Sequence, residues 1–199
     1  DSDGNGVADS SVIVSEHADG VEIVQLNGVN AVAAGLTANG AGGTIALTET
    51  NLLLGSDAAD LLRGGGGVDT ITGNGGNDTI EGGADTAVDV LTGGLGDDVY
   101  VYSGTADFVA GNAVIDTITE TLGGGTDAIR LDGATTLAAA DDLARAANIE
   151  AITASATAGV LSLQLHADAF VDGFRTVDLS GDTNALGANV IDIAAVTGI

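Results

Sequence analysis

Apolar residues in this chain come in short alternating bursts, without the three-to-four spacing of an amphipathic helix. Residues 12–14 (VIV), 21–26 (VEIVQL), 31–36 (AVAAGL) and 44–48 (TIALT) are separated by the turn pairs Asp19-Gly20, Asn27-Gly28 and Asn39-Gly40. Runs of that length, rich in β-branched residues and bounded by Gly and Asn, predict strands. Their spacing fits either the rungs of a solenoid or a small sandwich, and rungs leading into the next segment are the preferred reading. Beyond residue 148, IEAITAS, GVLSLQLHADAF, FRTVDLSGD and NVIDIAAVTG again alternate Ile, Leu and Val with Thr, Ser and Asp. They predict further rungs, whose edges would suit end-to-end or lateral association. Residues 137–148 (LAAADDLARAAN), Ala-rich and free of Gly, predict the one helix. The chain therefore reads as all-β, in three segments: 1–54, 55–102 and 103–199.

The middle segment is a repeat. From Gly55 the chain runs GSDAADLLR, GGGGVDTIT, GNGGNDTIE, GGADTAVDVLT and GGLGDDVYV, with a two-residue insertion in the fourth unit. Each unit opens on Gly (55, 64, 73, 82 and 93), and each carries an aspartate in its sixth place: Asp60, Asp69, Asp78, Asp89 and Asp98. Two positions further on stand Leu62, Ile71, Ile80, Leu91 and Tyr100. A Gly-rich half that can take φ > 0 makes a turn with exposed carbonyls, and the following triplet makes a short strand with one inward side chain.

This pattern resembles the RTX nonapeptide G-G-x-G-x-D-x-U-x, a repeat of calcium-binding β-helices. The resemblance implies a calcium-bound parallel β-roll at 55–102 within a longer solenoid-like chain. It also implies two nonapeptides per coil, so that Asp60 stacks on Asp78, Asp78 on Asp98, and Asp69 on Asp89 across the insertion. Stacked strands lie about 4.8 Å apart. Two bare carboxylates at that separation repel by about 3.5 kcal/mol at an effective dielectric near 20. A hard cation that accepts six to eight oxygens removes that repulsion, which means Ca2+. By the same resemblance the ion is held by the aspartates and by main-chain carbonyls of the turns, here including Gly65, Gly67, Asn74, Gly76, Gly94 and Gly96. The first unit departs from the pattern at Ser56 and Ala58, the fourth at Asp85 and its insertion. About three well-formed ions are expected, fewer than the number of units.

A second metal candidate opens the chain: Asp1, Asp3, Asn5 and Asp9 stand in DSDGNGVAD. Oxygen ligands at alternate places followed by Gly begin like an EF-hand loop, but Val12 replaces its bidentate Glu. The loop looks more like the calcium loops of thrombospondin type 3 repeats. After the nonapeptides, Tyr100, Tyr102 and Phe108 predict an aromatic plug on the end of the roll. Residues 115–133 resemble the D-x-I-x-[DE]…G-x-D-x-I segment that often follows RTX repeats. Asp116, Glu120 and Asp127 in it are weaker candidates for another ion.

Charge narrows the partners. Twenty-nine Asp+Glu against 4 Lys+Arg give a formal net charge of -25, which excludes nucleic acid and anionic membrane as natural partners. A mean hydropathy of +0.35 is too apolar for acidic disorder. Cysteine is absent, so disulfides and thiolate sites are excluded, and no apolar run is long enough for membrane insertion as a helix. The chain starts without Met, which predicts a fragment or a processed product. Neither His17 nor His166 lies in a zinc motif, and no Ser sits in a nucleophile elbow. His166 with Asp168, and Asp141 with Asp142, read as surface residues. No catalytic residue is expected.

Ala, Thr and Gly abundance without Lys or Cys is similar to RTX-containing bacterial S-layer proteins. The expectation is a calcium-dependent, self-assembling structural module of a secreted cell-surface protein. It would associate with copies of itself and, as a further candidate, with cell-surface polysaccharide. The alternatives are a module of a large RTX adhesin, or the secretion and folding module of an exoenzyme or toxin exported by type I secretion.

Overall fold

The computed structural model describes residues 11–17, 20–26, 51–110, 113–138, 143–156, 158–165, 173–183 and 189–192, with backbone alone for 11–26 and 113–114. The fold is a stack of short parallel strands, a β-solenoid, interrupted among the described residues by a single helical turn. One wall is Asn51–Leu54, Thr70–Gly75, Val90–Leu95, Thr117–Thr119 and Ala146–Ala147. The opposite wall is Leu61–Arg63, Thr79–Glu81, Val99–Tyr102, Ala128–Leu131, Ala151–Ala154 and Thr176–Asp178. The chain alternates between the walls, and within each wall the strands pair in parallel.

Register follows from the apolar position of each triplet. Leu53, Ile71, Leu91, Ile118 and Ala146 form one inward column, and Leu62, Ile80, Tyr100, Ile129, Ile152 and Val177 the other. A slip of one residue would turn a whole column to solvent, so burial fixes the register. Ile71, Ile80, Tyr100, Ile129 and Ile152 are each 0% exposed.

The coil widens along the chain. Stacked positions are 18 residues apart at first, 20 after the insertion, then 27 and 29, and 23 between Asp127 and Glu150. The added length builds a third parallel wall from Thr135–Leu137, Leu161–Gln164 and Val190–Asp192. Leu137, Leu143, Ala158, Leu161, Leu163, Leu165 and Phe174 fill the larger interior. The rungs read in IEAITAS, GVLSLQLHADAF, FRTVDLSGD and NVIDIAAVTG are present in their described parts, as Ala151–Ala154, Leu161–Gln164, Thr176–Asp178 and Val190–Asp192.

Three expectations are corrected. Residues 11–26 are not solenoid rungs: Ser11–His17 and Gly20–Leu26 pair antiparallel, and Gly20–Leu26 runs antiparallel to Asn51–Leu54. His17 pairs with Gly20, and a parallel crossover needs a dozen or more residues between strands. Residues 137–148 are not a helix where described. Leu137 ends one strand, Ala146–Ala147 forms another, and Asn148 takes φ 60, a left-handed corner that stops any helix there. Stacking of Ile118 on Ala146 outweighs the helix preference of alanine.

Tyr100 and Tyr102 do not plug the end of the roll. The solenoid continues over them, with Ile129 on Tyr100 and Leu131 on Tyr102, and both rings are buried. Beyond Tyr102 the chain leaves the wall for the helical turn Thr105–Phe108 and the short antiparallel pair Val109–Ala110 and Ala113–Val114. Phe108 returns against Tyr102, ring centroids 4.9 Å apart. The runs 31–36 and 44–48, and Asp1, Asp3, Asn5, Asp9, Asp141, Asp142, His166 and Asp168, lie outside the described residues.

The columns set the stability. Ile129→Ala is expected to cost about 2–5 kcal/mol, whereas Leu61→Ala, at a half-exposed outward position, stays within about 0.5 kcal/mol. Urea denaturation in calcium-containing buffer measures both.

Candidate metal centre

Each strand triplet is preceded by a polar residue at the corner of the coil, and these corners form two rows. One row is Asp60, Asp78, Asp98, Asp127 and Glu150. The Asp60 N–H donates to Asp78 Oδ1 at 2.9 Å, Asp78 N–H to Asp98 Oδ1 at 2.8 Å, Asp98 N–H to Asp127 Oδ1 at 2.9 Å, and Asp127 N–H to Glu150 Oε2 at 2.9 Å. The other row is Asn51, Asp69, Asp89 and Asp116, linked in the same way at 2.8, 2.8 and 2.9 Å. The expected stacks of Asp60 on Asp78, Asp78 on Asp98 and Asp69 on Asp89 are thus in place. Each carboxylate after Asp60 spends one oxygen on the backbone of the coil before it.

The second oxygens differ from the first. Oδ2 of Asp69, Asp78 and Asp98 is buried and accepts no hydrogen bond. A buried anionic oxygen left this way carries a desolvation cost that a cation removes. The opening glycine of each unit lies directly beneath that oxygen. A Cβ at Gly55, Gly64, Gly73, Gly82 or Gly93 would collide with Oδ2 of Asp60, Asp69, Asp78, Asp89 or Asp98 respectively. At Gly55, Gly64 and Gly73 the same Cβ would also meet the carbonyl oxygen of the opening glycine one coil on. Carboxylate and carbonyl oxygens converge on one point beside a backbone with no side chain.

The turn residues expected to supply carbonyls share one backbone conformation. Gly65, Gly67, Asn74, Gly76, Gly94 and Gly96 all take φ between 78 and 123. The carbonyls of Gly65, Asn74, Gly76, Gly94 and Gly96 face the α-carbons of Gly83, Gly94, Gly96, Gly124 and Gly125 on the following coil. Gly67 donates its N–H to Asp85 Oδ2 at 3.0 Å, so the insertion loop folds back over the earlier turn.

Sequence reasoning undervalued the segment after the nonapeptides. Asp98, Glu120 and Asp127 are buried and present one oxygen each within 4.8 Å of one another. Two oxygens on one calcium, at 2.3–2.6 Å from it, lie at most about 5 Å apart, so this cluster fits the ion. Glu120 accepts the N–H groups of Gly93 at 2.9 Å and Gly94 at 3.0 Å, and the Tyr100 hydroxyl. Asp116 accepts the Tyr102 hydroxyl at 3.0 Å. Asn51 and Glu150 end the rows and were not singled out at all. A signal exists for them: Asn51-Leu-Leu53 and Glu150-Ala-Ile152, like Asp116-Thr-Ile118, repeat the polar-x-apolar triplet without the glycine turn, and Asp127-Ala-Ile129 repeats it after Gly123–Gly125.

Electrostatics agree with the geometry. Burial, reinforced by neighbouring carboxylates, pushes Asp69 and Asp78 up to about 6 and Asp98 up to about 7. The same causes push Asp116 up to about 7 and Asp127 up to about 6. Without an ion, these oxygens hold protons more tightly than exposed carboxylates do.

The corners and glycine turns define a calcium-binding parallel β-roll. Comparison with known families agrees: residues 54–88 and 85–109 match the family model described as RTX calcium-binding nonapeptide repeat, in 4 copies. No curated protein and no solved structure matches the chain. The ion is calcium, and the repeats form a calcium-dependent structural module of a kind that occurs in secreted proteins. No helix among the described residues is long and apolar enough to cross a membrane.

Two outcomes are expected. Asp78 joins two coils, so Asp78→Ala lowers the cooperativity of calcium binding and opens the roll to protease; an unchanged titration with unchanged protease resistance would refute the stacking. The pH dependence has a defined sign. A carboxylate with a raised folded pKa contributes stability that is full below about pH 4 and lost as pH rises through 6 to 7. In chelator, thermal stability therefore falls from pH 4 to pH 7.5, and saturating calcium restores it at the upper end.

Proposed function

We propose that this chain is a self-assembling structural module of a bacterial cell-surface protein, an S-layer subunit, folded by calcium outside the cell. The observation that carries the reading is the pair of stacked carboxylate rows, which oppose folding wherever calcium is scarce. Extracellular modules bind calcium at about 10⁻⁴–10⁻³ M, well above cytosolic levels. The repeats would stay open in the cytosol, suited to type I secretion, and close on export.

The surface role rests on the solenoid and its composition. Coils repeat their outward faces in register, which suits lattice contacts between copies. A net charge of -25 lets calcium bridge neighbours through carboxylates the coils do not use. Cell-surface polysaccharide is a second partner in this reading, and no catalytic role is assigned. A calcium-stiffened module of a large adhesin, or of an exported enzyme or toxin, would share the folding step and lack the assembly.

Light scattering against free calcium, from chelator to about 10 mM, a range above extracellular-module affinities, separates these readings. Growth into large particles that chelator reverses supports the S-layer subunit. Shrinkage to a compact monomer that does not associate overturns it in favour of an adhesin or exported-enzyme module. A size independent of calcium overturns the ion-driven folding.

A further inference from the structure

The aspartates of the rows differ in what meets their second oxygen. In three units the residue four places before the aspartate is Gly65, Asn74 or Gly94, at φ 104, 78 and 116, and Oδ2 of Asp69, Asp78 or Asp98 accepts no hydrogen bond. In the first unit that residue is Ser56, which is not among the positive-φ residues. Its N–H donates to Asp60 Oδ2 at 2.6 Å and its hydroxyl donates to the same oxygen at 3.0 Å. The hydroxyl oxygen also accepts the Ala58 N–H at 3.1 Å, closing the turn on itself. Yet the rest of the ion cradle is built: Gly55 lies beneath Asp60 Oδ2 and the Gly73 carbonyl, as Gly73 lies beneath Asp78 Oδ2 and the Gly93 carbonyl.

The same closure recurs where the nonapeptides end. Ser103, four places before Asp107, donates its N–H to Asp107 Oδ2 at 2.6 Å and its hydroxyl at 2.9 Å. Asp107 is buried, and the helical turn begins inside this loop. The two serines share the local pattern Ser-x-x-Ala-Asp, at 56–60 and 103–107, and make matching bonds to matching oxygens.

We propose that Ser56 and Ser103 stand in for calcium. Each supplies an N–H and an O–H to the carboxylate oxygen that elsewhere faces the ion, so the turns at Asp60 and Asp107 close without metal and bound the ion-dependent coils between them. Backbone conformation makes the choice. A left-handed residue at the fourth place before the aspartate leaves Oδ2 without a local donor, whereas Ser56 aims its own donors at that oxygen. The competition is direct, because an oxygen already accepting two bonds gains less from a cation than one accepting none.

This inference rests on the calcium reading of the repeats, and one titration separates the two. The variant Ser56→Gly/Ala58→Gly removes the hydroxyl and gives the first unit the glycines of the others. Calcium bound per chain, counted by isothermal titration and by native mass spectrometry, is expected to rise by one ion over the unmodified protein. Ser56→Thr, which keeps the hydroxyl, is expected to leave the count unchanged. An equal count in the double variant, or an added ion in the threonine variant, overturns the serine closure while the calcium reading stands. Absence of calcium binding in the unmodified protein overturns the calcium reading and the closure with it.

Discussion

In-register parallel stacking repeats every side chain about 4.8 Å above its counterpart, and here the repeated side chain at the corner of the coil is a carboxylate. That constraint governs the rest. The fold relieves half of it internally, because Asp78, Asp89 and Asp98 accept the backbone N–H of the coil before them. The other half needs a positive charge from outside. Protons serve when pH is low, as the raised pKa values of Asp69, Asp78 and Asp98 record. Calcium serves at neutral pH, because it takes several oxygens at once and accepts carbonyls as readily as carboxylates. Proton and ion therefore compete for the same oxygens.

The dependence on an outside charge changes along the chain. Between Leu53 and Tyr100 each strand contributes one apolar side chain to the interior, too little to bury a substantial core. From Tyr102 onward the coil carries two inward residues on one wall and gains a third wall. Full burial of a Leu, Ile or Phe contributes roughly 1.5–3 kcal/mol, so each wider coil carries several such contributions. The tyrosines stand at the changeover. Their rings belong to the core, while their hydroxyls reach Glu120, beside Asp98 and Asp127 of one carboxylate row, and Asp116 in the other. A phenol buried beside a carboxylate satisfies it with a donor that no solvent change removes, and the coil passes from ion-held to core-held packing at that point.

The sequence was legible where one rule acted alone. Nine-residue periodicity placed Asp60, Asp69, Asp78, Asp89 and Asp98 in their rows because turn chemistry and burial share one period. It failed where two rules competed. At 137–148 alanine favours a helix, but Ala146 packs under Ile118 and the strand wins. At 115–150 the coil length changes, so Asp116 and Glu150 stand without the glycine frame and Asp127 keeps its glycines outside the nine-residue period, though the polar-x-apolar triplet persists. The 11–26 strands were visible as strands, but direction depends on the length of the connection and on which edge receives them, and alternation carries neither.

Glycine links the chemistry of the ion to the length of the repeat. The opening position of each unit must lack a Cβ, since the aspartate oxygen of that unit occupies the space. The next turn positions must take φ > 0, which Asn74 manages and most side chains do not. Five places are thereby spoken for before the aspartate, and three remain for a strand able to bury a single side chain. A longer strand would need a longer coil, and in the wider coils the corners reach their partners across 27 and 29 residues with fewer turns of this kind. The low complexity of residues 55–102 is thus a physical requirement of holding carboxylates and carbonyls around one cation. The richer sequence beyond 128 reflects coils whose interior holds them together.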